Sequence, residues 1–457
     1  MASHAKRPKI GDGPEMNPLP DFLQWCKTVG LVLCDKVRVS KEGTVAEFGM
    51  LATDNIEEGE VLFTVPRSAL LHQDTTEVSV LLEKERSSLQ SPSGWVPLLL
   101  ALLYEYTSPQ SRWRPYLSLW TDFKTLDHPM FWSKEERHRL LRATGVPEAV
   151  DADLANIQRE YTDVVLPFVA KHPDLWDADT HTLELYTQLV AFVMAYSFQE
   201  PDEEEGSEDE DEEEDEEEEE EKAPNPPMMV PMADMLNHVS NHNANLEFTP
   251  SEDGLRAADT QRRRSVQHLR ADGQLAAAAH VRLHGASPGQ PRRHRRHPRR
   301  QLLQGVQSGL EQQLVEEKQE VLCQVMRGKE AFVFGKQGCL TDFELHSALK
   351  VLCMSEEEFS EFKDNEGWEE DEDEDISLSF SNEGLSGLKA SWKWLIHGAA
   401  RLTLRSYGEE APGGKSDQEL MEDRVAFAGL SSRRRNALQV RCGQKSILHR
   451  LMELTGS

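Results

Sequence analysis

His238 and His242 stand four residues apart, a spacing that on one helix face would let two imidazoles share a metal ion. No Glu lies between them in the protease arrangement and no third ligand is evident, so a metal site is not expected. Asn237 and His238 are adjacent hydrogen-bonding side chains, which alone describe only a satisfied polar turn. Tyr196 closes one apolar stretch and Trp95 opens another; each by itself reads as a core aromatic. Residues 262–300 hold 11 Arg against one Asp, a charge that attracts phosphate without regard to sequence. They lack the interleaved aromatics of a single-strand binder and any Cys/His zinc spacing, so specific nucleic-acid binding is not expected. Taken one at a time, these residues specify no reaction.

The elements that must hold them follow from periodicity. The 457 residues suffice for two to three domains. Residues 1–20 read as a disordered tail whose basic cluster, Lys6 to Lys9, could serve as a nuclear import signal. Pro20 and Asp21 open a short helix through Val29. Residues 37–66 read as strands, with a turn at Glu57-Glu58-Gly59 and a stop at Pro66. From about 77 to 200 the period becomes helical: Val150, Leu154, Ile157, Tyr161, Val164 and Phe168 share one face. Leu185, Leu189, Phe192 and Tyr196 share another, which puts Tyr196 on a buried face.

Pro201 ends that helix, and residues 202–222 follow with 18 acidic residues and one Lys. A second run, 355–375, holds 13 acidic residues and one Lys. Both are expected as loops, because such runs repel themselves and have little apolar surface to bury. They account for nearly all of the formal net charge of −31, so the folded remainder is not a strongly acidic protein. An acidic chaperone for basic partners would need more than these runs to specify it. Helical patterning resumes after about 302, with Leu345, Leu349, Leu352 and Cys353 on one face. No apolar run approaches a membrane span, so no membrane partner is expected. The six cysteines form no CxxC pair, which suggests free thiols in a reducing compartment.

Order along the chain adds what single residues lack. The stretch Gly43 to Ala52, continuing from Glu57 to Pro66, resembles the opening strands of a SET domain. The blocks Gly94-Trp95-Val-Pro-Leu-Leu-Leu-Ala-Leu and Ser111-Arg-Trp-Arg-Pro-Tyr116-Leu-Ser-Leu-Trp resemble the helical insertion of the non-histone branch. Ala195-Tyr196-Ser-Phe-Gln-Glu-Pro and Ala233-Asp-Met-Leu-Asn237-His238 complete the pattern. In this order the motifs are similar to those of SET-domain protein-lysine methyltransferases of the non-histone branch, over about 20–255 and 302–457.

The resemblance implies an α+β fold: a β-rich SET core over 21–255, interrupted by a helical insertion at about 70–227, then an all-helical substrate-binding domain over 302–457. It implies S-adenosylmethionine as methyl donor and a protein lysine as acceptor. Ala46, Glu47 and Phe48 match the first donor-binding loop. Tyr196 matches a donor-contacting tyrosine, Asn237 and His238 the donor-holding pair, and Trp95 an aromatic near the lysine channel. Implied substrates are nuclear proteins, with transcription-factor subunits of the RelA type and histones as candidates. The nucleus, with the cytoplasm as a second location, and a part in transcription regulation follow from the same likeness.

One segment departs from the pattern. The family's Asn-x-Tyr-Gly turn, whose tyrosine hydroxyl lies at the transfer channel, should fall within 256–301, and no tyrosine is there. No catalytic residue of the family is therefore retained, and the segment is expected to be disordered or non-native. Its length is close to what the family needs, but its alphabet is rich in Arg, Ala, Pro and His. A G/C-rich gene read out of frame yields that composition. The alternative to an active enzyme is thus a catalytically impaired product of a frameshifted or alternative transcript, acting only as a binding protein. Sequencing the transcript across 256–301 is expected to reveal a change of frame; a contiguous in-frame read of these residues refutes it in favour of a true insertion.

Overall fold

The computed structural model describes residues 17–44, 48–120, 123–200, 225–236, 244–248, 255–259, 281–284, 317–318, 321–322, 331–364, 380–408 and 415–456. The chain forms two compact units, one from 1–131 with 151–274 and the other from 132–150 with 275–457.

In the first unit, antiparallel pairing joins distant parts of the sequence. β1 (Val32–Leu33) pairs with β4 (Val61–Val65), and β2 (Val37–Ser40) pairs with β3 (Gly49–Ala52) with Val39 opposite Met50. Strand alternation buries Val37 and Val39 and turns Arg38 outward. β5 (Ser197–Phe198) pairs with β6 (Met228–Met229), and Met229 also bridges to Leu71. β7 (Ala244–Phe248) and β8 (Leu255–Asp259) extend the first sheet to the order β1-β4-β8-β7, with a register shift in β4 between Val61 and Phe63.

The helices of this unit agree with the periodic reading. Leu19–Thr28 begins with proline in its first turn and buries Leu19, Phe22, Trp25 and Cys26. Val96–Thr107 is buried nearly all round, consistent with its uninterrupted leucines. Leu183–Tyr196 is capped by the Thr182 hydroxyl, which accepts the Leu185 N–H at 3.3 Å. One helix is not continuous. Tyr161–Val165 widens to a π turn between Val146–Glu160 and Leu166–Lys171, and the Leu166 N–H reaches Tyr161 five residues back. Pro167 explains it: proline has no N–H to donate and its ring collides with the carbonyl four residues earlier.

The residues on either side of 201–224 are tied together in the first unit. Arg67 forms a two-pronged pair with Glu200 (2.9 and 2.5 Å). Gln199 Nε2 donates to the Asn225 carbonyl at 2.9 Å, and Asn225 Nδ2 donates to the Glu200 carbonyl at 3.1 Å.

In the second unit, Asp342–Cys353, Ala390–Ser406 and Ser432–Thr455 pack Leu345, Leu349, Leu352, Trp392, Ile396 and Leu448 into one core. Tyr407 donates its hydroxyl to Gln444 at 2.5 Å, and Gln444 donates to the Thr144 carbonyl at 3.2 Å, so the buried amide is satisfied.

Two acidic or Arg-rich stretches carry more regular structure than their composition suggests. Within 256–301, β8 continues to Asp259, and Val281–His284 forms β9, paired with β10 (Ala331–Phe334). Strand pairing uses backbone groups, so an altered side-chain alphabet does not forbid it. β10 is a strand within 302–457, which was expected to be all helical; the rest of 256–301 lies outside the described residues. Within 355–375, Glu356–Asp364 is a helix rather than loop. Ser355 and Glu358 exchange hydrogen bonds at its start, its first-turn glutamates suit the positive helix end, and Phe359 is buried. The other acidic run, 202–222, lies outside the described residues. Among the described residues, no helix is long and apolar enough to cross a membrane.

Phe359→Ala is expected to lower unfolding stability by about 3–5 kcal/mol, as for a buried aromatic. Chemical denaturation measures this; an unchanged midpoint would restore the loop reading.

Candidate active site

Three short pieces of chain, far apart in sequence, build a buried aromatic and acidic cluster against the helix Leu19–Thr28 in the first unit. Arg114–Leu117 is a single helical turn begun by Pro115, and it inserts Tyr116 fully into the core. Phe22 and Trp25 hold the Tyr116 ring, at 6.1 and 6.4 Å between centroids, and Trp25 also meets Trp113 at 5.7 Å. The chain then carries Trp120 to the end of Leu183–Tyr196, where its ring lies 5.0 Å from Phe192 and 4.5 Å from Tyr196.

The third piece is the turn Met232–Leu236, with Ala233–Met235 as a tight helical turn. Met232 has φ of 84°, a left-handed conformation that costs a non-glycine residue about 1–3 kcal/mol. The Tyr116 hydroxyl donates to Asp234 Oδ2 at 2.7 Å. Asp234 is only 6% exposed, and its Oδ1 has no well-aligned hydrogen-bond partner although the amides of Met232, Asp234 and Met235 lie near the carboxylate. The Trp120 indole N–H is likewise buried without a well-aligned partner, beside the Tyr116 hydroxyl.

Burial sets the electrostatics. Removal from water pushes the Asp234 carboxyl up to about 7, against the opposing pull of Tyr116 and the nearby amides. Burial, then the Asp234 charge, pushes both the Tyr196 hydroxyl and the Cys26 thiol up to about 12. Tyr116 is raised by the same two causes.

Of the residues matched from sequence, Tyr196 is half-buried at the last position of its helix and joins this cluster through Trp120 and Phe192. Phe48 is buried, with the Lys41 ammonium 4.6 Å from its ring centre. Trp95 is half-buried at the start of Val96–Thr107, its N–H donating to Ser93 Oγ at 3.1 Å. Ala46, Glu47, Asn237 and His238 lie outside the described residues. Asp234, three residues before Asn237, does reach the Tyr116–Tyr196 cluster. Sequence reasoning quoted Asp234, Tyr116 and Trp120 inside motifs and gave them no role. The available signal was an isolated acid within the apolar run Met228 to Leu236.

Solved structures share this fold. The SET domain of LSMT bound to lysine and AdoHcy aligns with a TM-score of 0.57 at 16% identity, covering 97% of this chain and 92% of that one. Rubisco LSMT bound to AdoMet aligns with a TM-score of 0.56 at 15% identity, covering 96% and 91%. The fold class is thus that of the SET-domain methyltransferases. Residues 309–448 also match the family model described as Rubisco LSMT substrate-binding. Along its whole length the chain is 55% identical to N-lysine methyltransferase setd6 of Salmo salar, with all of both chains covered. It is 52% identical to that of Danio rerio, covering 100% of this chain and 99% of the relative, and 46% identical to human SETD6, covering all of both. The chain belongs to the SETD6 family of N-lysine methyltransferases.

The raised Asp234 carboxyl makes a pH prediction with a defined sign. Its folded value, about 7, lies above the roughly 3.9 of an unfolded aspartate, so the native state holds the extra proton between them. Its contribution to stability is present in full below about pH 4 and is lost as pH rises through 7. Melting temperatures of the wild type and Asp234→Asn, compared from pH 4 to 8, are expected to converge at low pH and separate upward, with the variant the more stable at pH 8. Parallel curves would mean that Asp234 does not titrate in this window.

Proposed function

We propose that this chain transfers the methyl group of S-adenosylmethionine to a lysine of a protein substrate. The observation that carries the reading is end-to-end identity with N-lysine methyltransferases of the SETD6 family, together with a buried aromatic cluster at the family's donor-side tyrosine. The donor supplies a methyl on a positively charged sulfur, which leaves as a neutral thioether when the lysine nitrogen attacks the carbon.

The chain's own residues fit such a donor. Tyr196 and Trp120 present aromatic faces that suit a sulfonium, and Asp234 Oδ1 and the Trp120 N–H are buried polar atoms lacking well-aligned partners. Ala46, Glu47 and Phe48 are assigned to the first donor loop, Asn237 and His238 to the donor's two ends, and Trp95 to the lysine channel. A free lysine has a pKa near 10.4 and is almost wholly protonated at pH 7. An apolar channel disfavours the ammonium, helps release its proton to solvent and leaves the lone pair for attack. Orientation then supplies much of the rate, about 7–11 kcal/mol in well-aligned systems. We assign the substrates to nuclear proteins, with transcription-factor subunits of the RelA type first and histones next, and the protein to the nucleus with a second presence in the cytoplasm.

A second reading is favoured by one feature of the sequence: 256–301 contains no tyrosine to shape the transfer channel. On that reading the chain binds its substrate protein and does not methylate it. Incubation with radiolabelled donor and a nuclear protein extract separates the two. Label on protein is expected; none, with donor binding intact, supports the impaired reading. Tyr196→Ala and Asn237→Ala are each expected to weaken donor binding at least about tenfold in calorimetry, a loss of roughly 1.4 kcal/mol. Wild-type affinity in either variant removes that residue from the site.

A further inference from the structure

We propose that Tyr116 and Asp234 are positioning residues for methyl transfer: their buried hydrogen bond fixes both the Trp120 ring behind Tyr196 and the Met232–Leu236 turn that runs directly into Asn237 and His238. This deepens the methyltransferase reading and rests on it.

The first argument is thermodynamic. A carboxylate and a phenol buried together without a cation are a poor way to stabilise a core; apolar side chains of similar shape would serve better. Here the carboxylate keeps one oxygen without a well-aligned partner, and Met232, two residues before it, is held in a left-handed conformation. Two unfavourable features within three residues mark a turn whose geometry is retained for a reason other than stability.

The second argument is reach. Tyr116 and Trp120 are four residues apart, and the Trp120 N–H lies beside the Tyr116 hydroxyl that donates to Asp234. Trp120 in turn packs on Tyr196 at 4.5 Å. A shift of the Asp234 carboxylate is thus passed through one hydroxyl and one indole to the donor-side tyrosine. From the same carboxylate the chain needs only Met235 and Leu236 to arrive at Asn237.

The third argument is charge. The titratable groups facing Asp234 are Cys26 from Leu19–Thr28, Tyr116 from Arg114–Leu117 and Tyr196 from Leu183–Tyr196. All three are neutral near pH 7, so among these described groups Asp234 is the one that changes charge there. Ionisation strengthens the bond from Tyr116, since a charged acceptor roughly doubles a hydrogen bond, and should tighten the site as pH rises.

The test uses full-length protein, Tyr116→Phe, which deletes the bond and keeps the ring, and Asp234→Asn, which keeps an acceptor and removes the charge. S-adenosylmethionine is titrated calorimetrically at pH 6, 7 and 8, and hydrogen exchange is followed at residues 232–236, at Trp120 and in Val96–Thr107. Wild-type affinity is expected to rise with pH. Tyr116→Phe should bind at least about tenfold more weakly, and Asp234→Asn should lose the pH trend. Exchange should accelerate at 232–236 and Trp120 while Val96–Thr107 stays protected. Wild-type affinities with an unaltered pH trend in both variants overturn the proposal, as does exchange that is unchanged or accelerated everywhere alike. If the wild type itself binds no donor, the methyltransferase reading fails for this chain. The exchange pattern still decides whether the pair fixes the turn.

Discussion

Burying a carboxylate among a phenol hydroxyl and the amides of its own turn is the constraint on which the first unit's aromatic cluster depends. Asp234 sits against Tyr116, and among the described residues no cation is seen to act on it. The cost is kept finite by a wall of aromatic rings that excludes water and by backbone amides of its own turn. Phe22 and Trp25 fix the Tyr116 ring, and Trp113 locks Trp25 in turn. The position of a single acid is therefore set by residues drawn from the first helix, the helical insertion and the donor-side motif.

Several other buried polar groups are partnered. In the second unit, Lys318 is 1% exposed yet donates to the carbonyls of Leu352 and Met354, where the Asp342–Cys353 helix ends. Gln444 is paired on both sides of its amide. Glu105 in the first unit receives the Ser111 hydroxyl at 2.5 Å and the Glu77 amide at 3.4 Å. Each finds backbone or side-chain partners, as buried polar groups usually do. The incomplete satisfaction at Asp234 stands apart from them in a chemically suggestive place.

Much of this architecture was readable before any coordinates. Leucine spacing gave the helices, β-branched alternation gave β2 to β4, and ordered motifs gave the family. What escaped had physical causes. The π turn at Tyr161–Val165 needs only Pro167, one residue within a helix-period pattern that continues on both sides. The helix Glu356–Asp364 hides within an acidic composition, because Phe359 and Phe362 are too few to shift an average. The Tyr116–Asp234 bond joins residues 118 positions apart, a separation that local patterns do not encode. The donor-side matches fared unevenly. Tyr196 lies in an aromatic cluster with Trp120 and Phe192, Phe48 is buried under Lys41, and Trp95 starts a helix.

The tied base at Glu200 and Asn225 has an evolutionary consequence. Since β5 and β6 already pair and Arg67 grips Glu200, the cost of bringing the two ends of 201–224 together is met by the core itself. With the two ends already held together, each doubling of the number of residues between them costs only about 0.6 kcal/mol more. Mutation can therefore lengthen, shorten or recode that acidic stretch across descendants of this gene almost without penalty, while Met228 and Met229 remain bound to their neighbours.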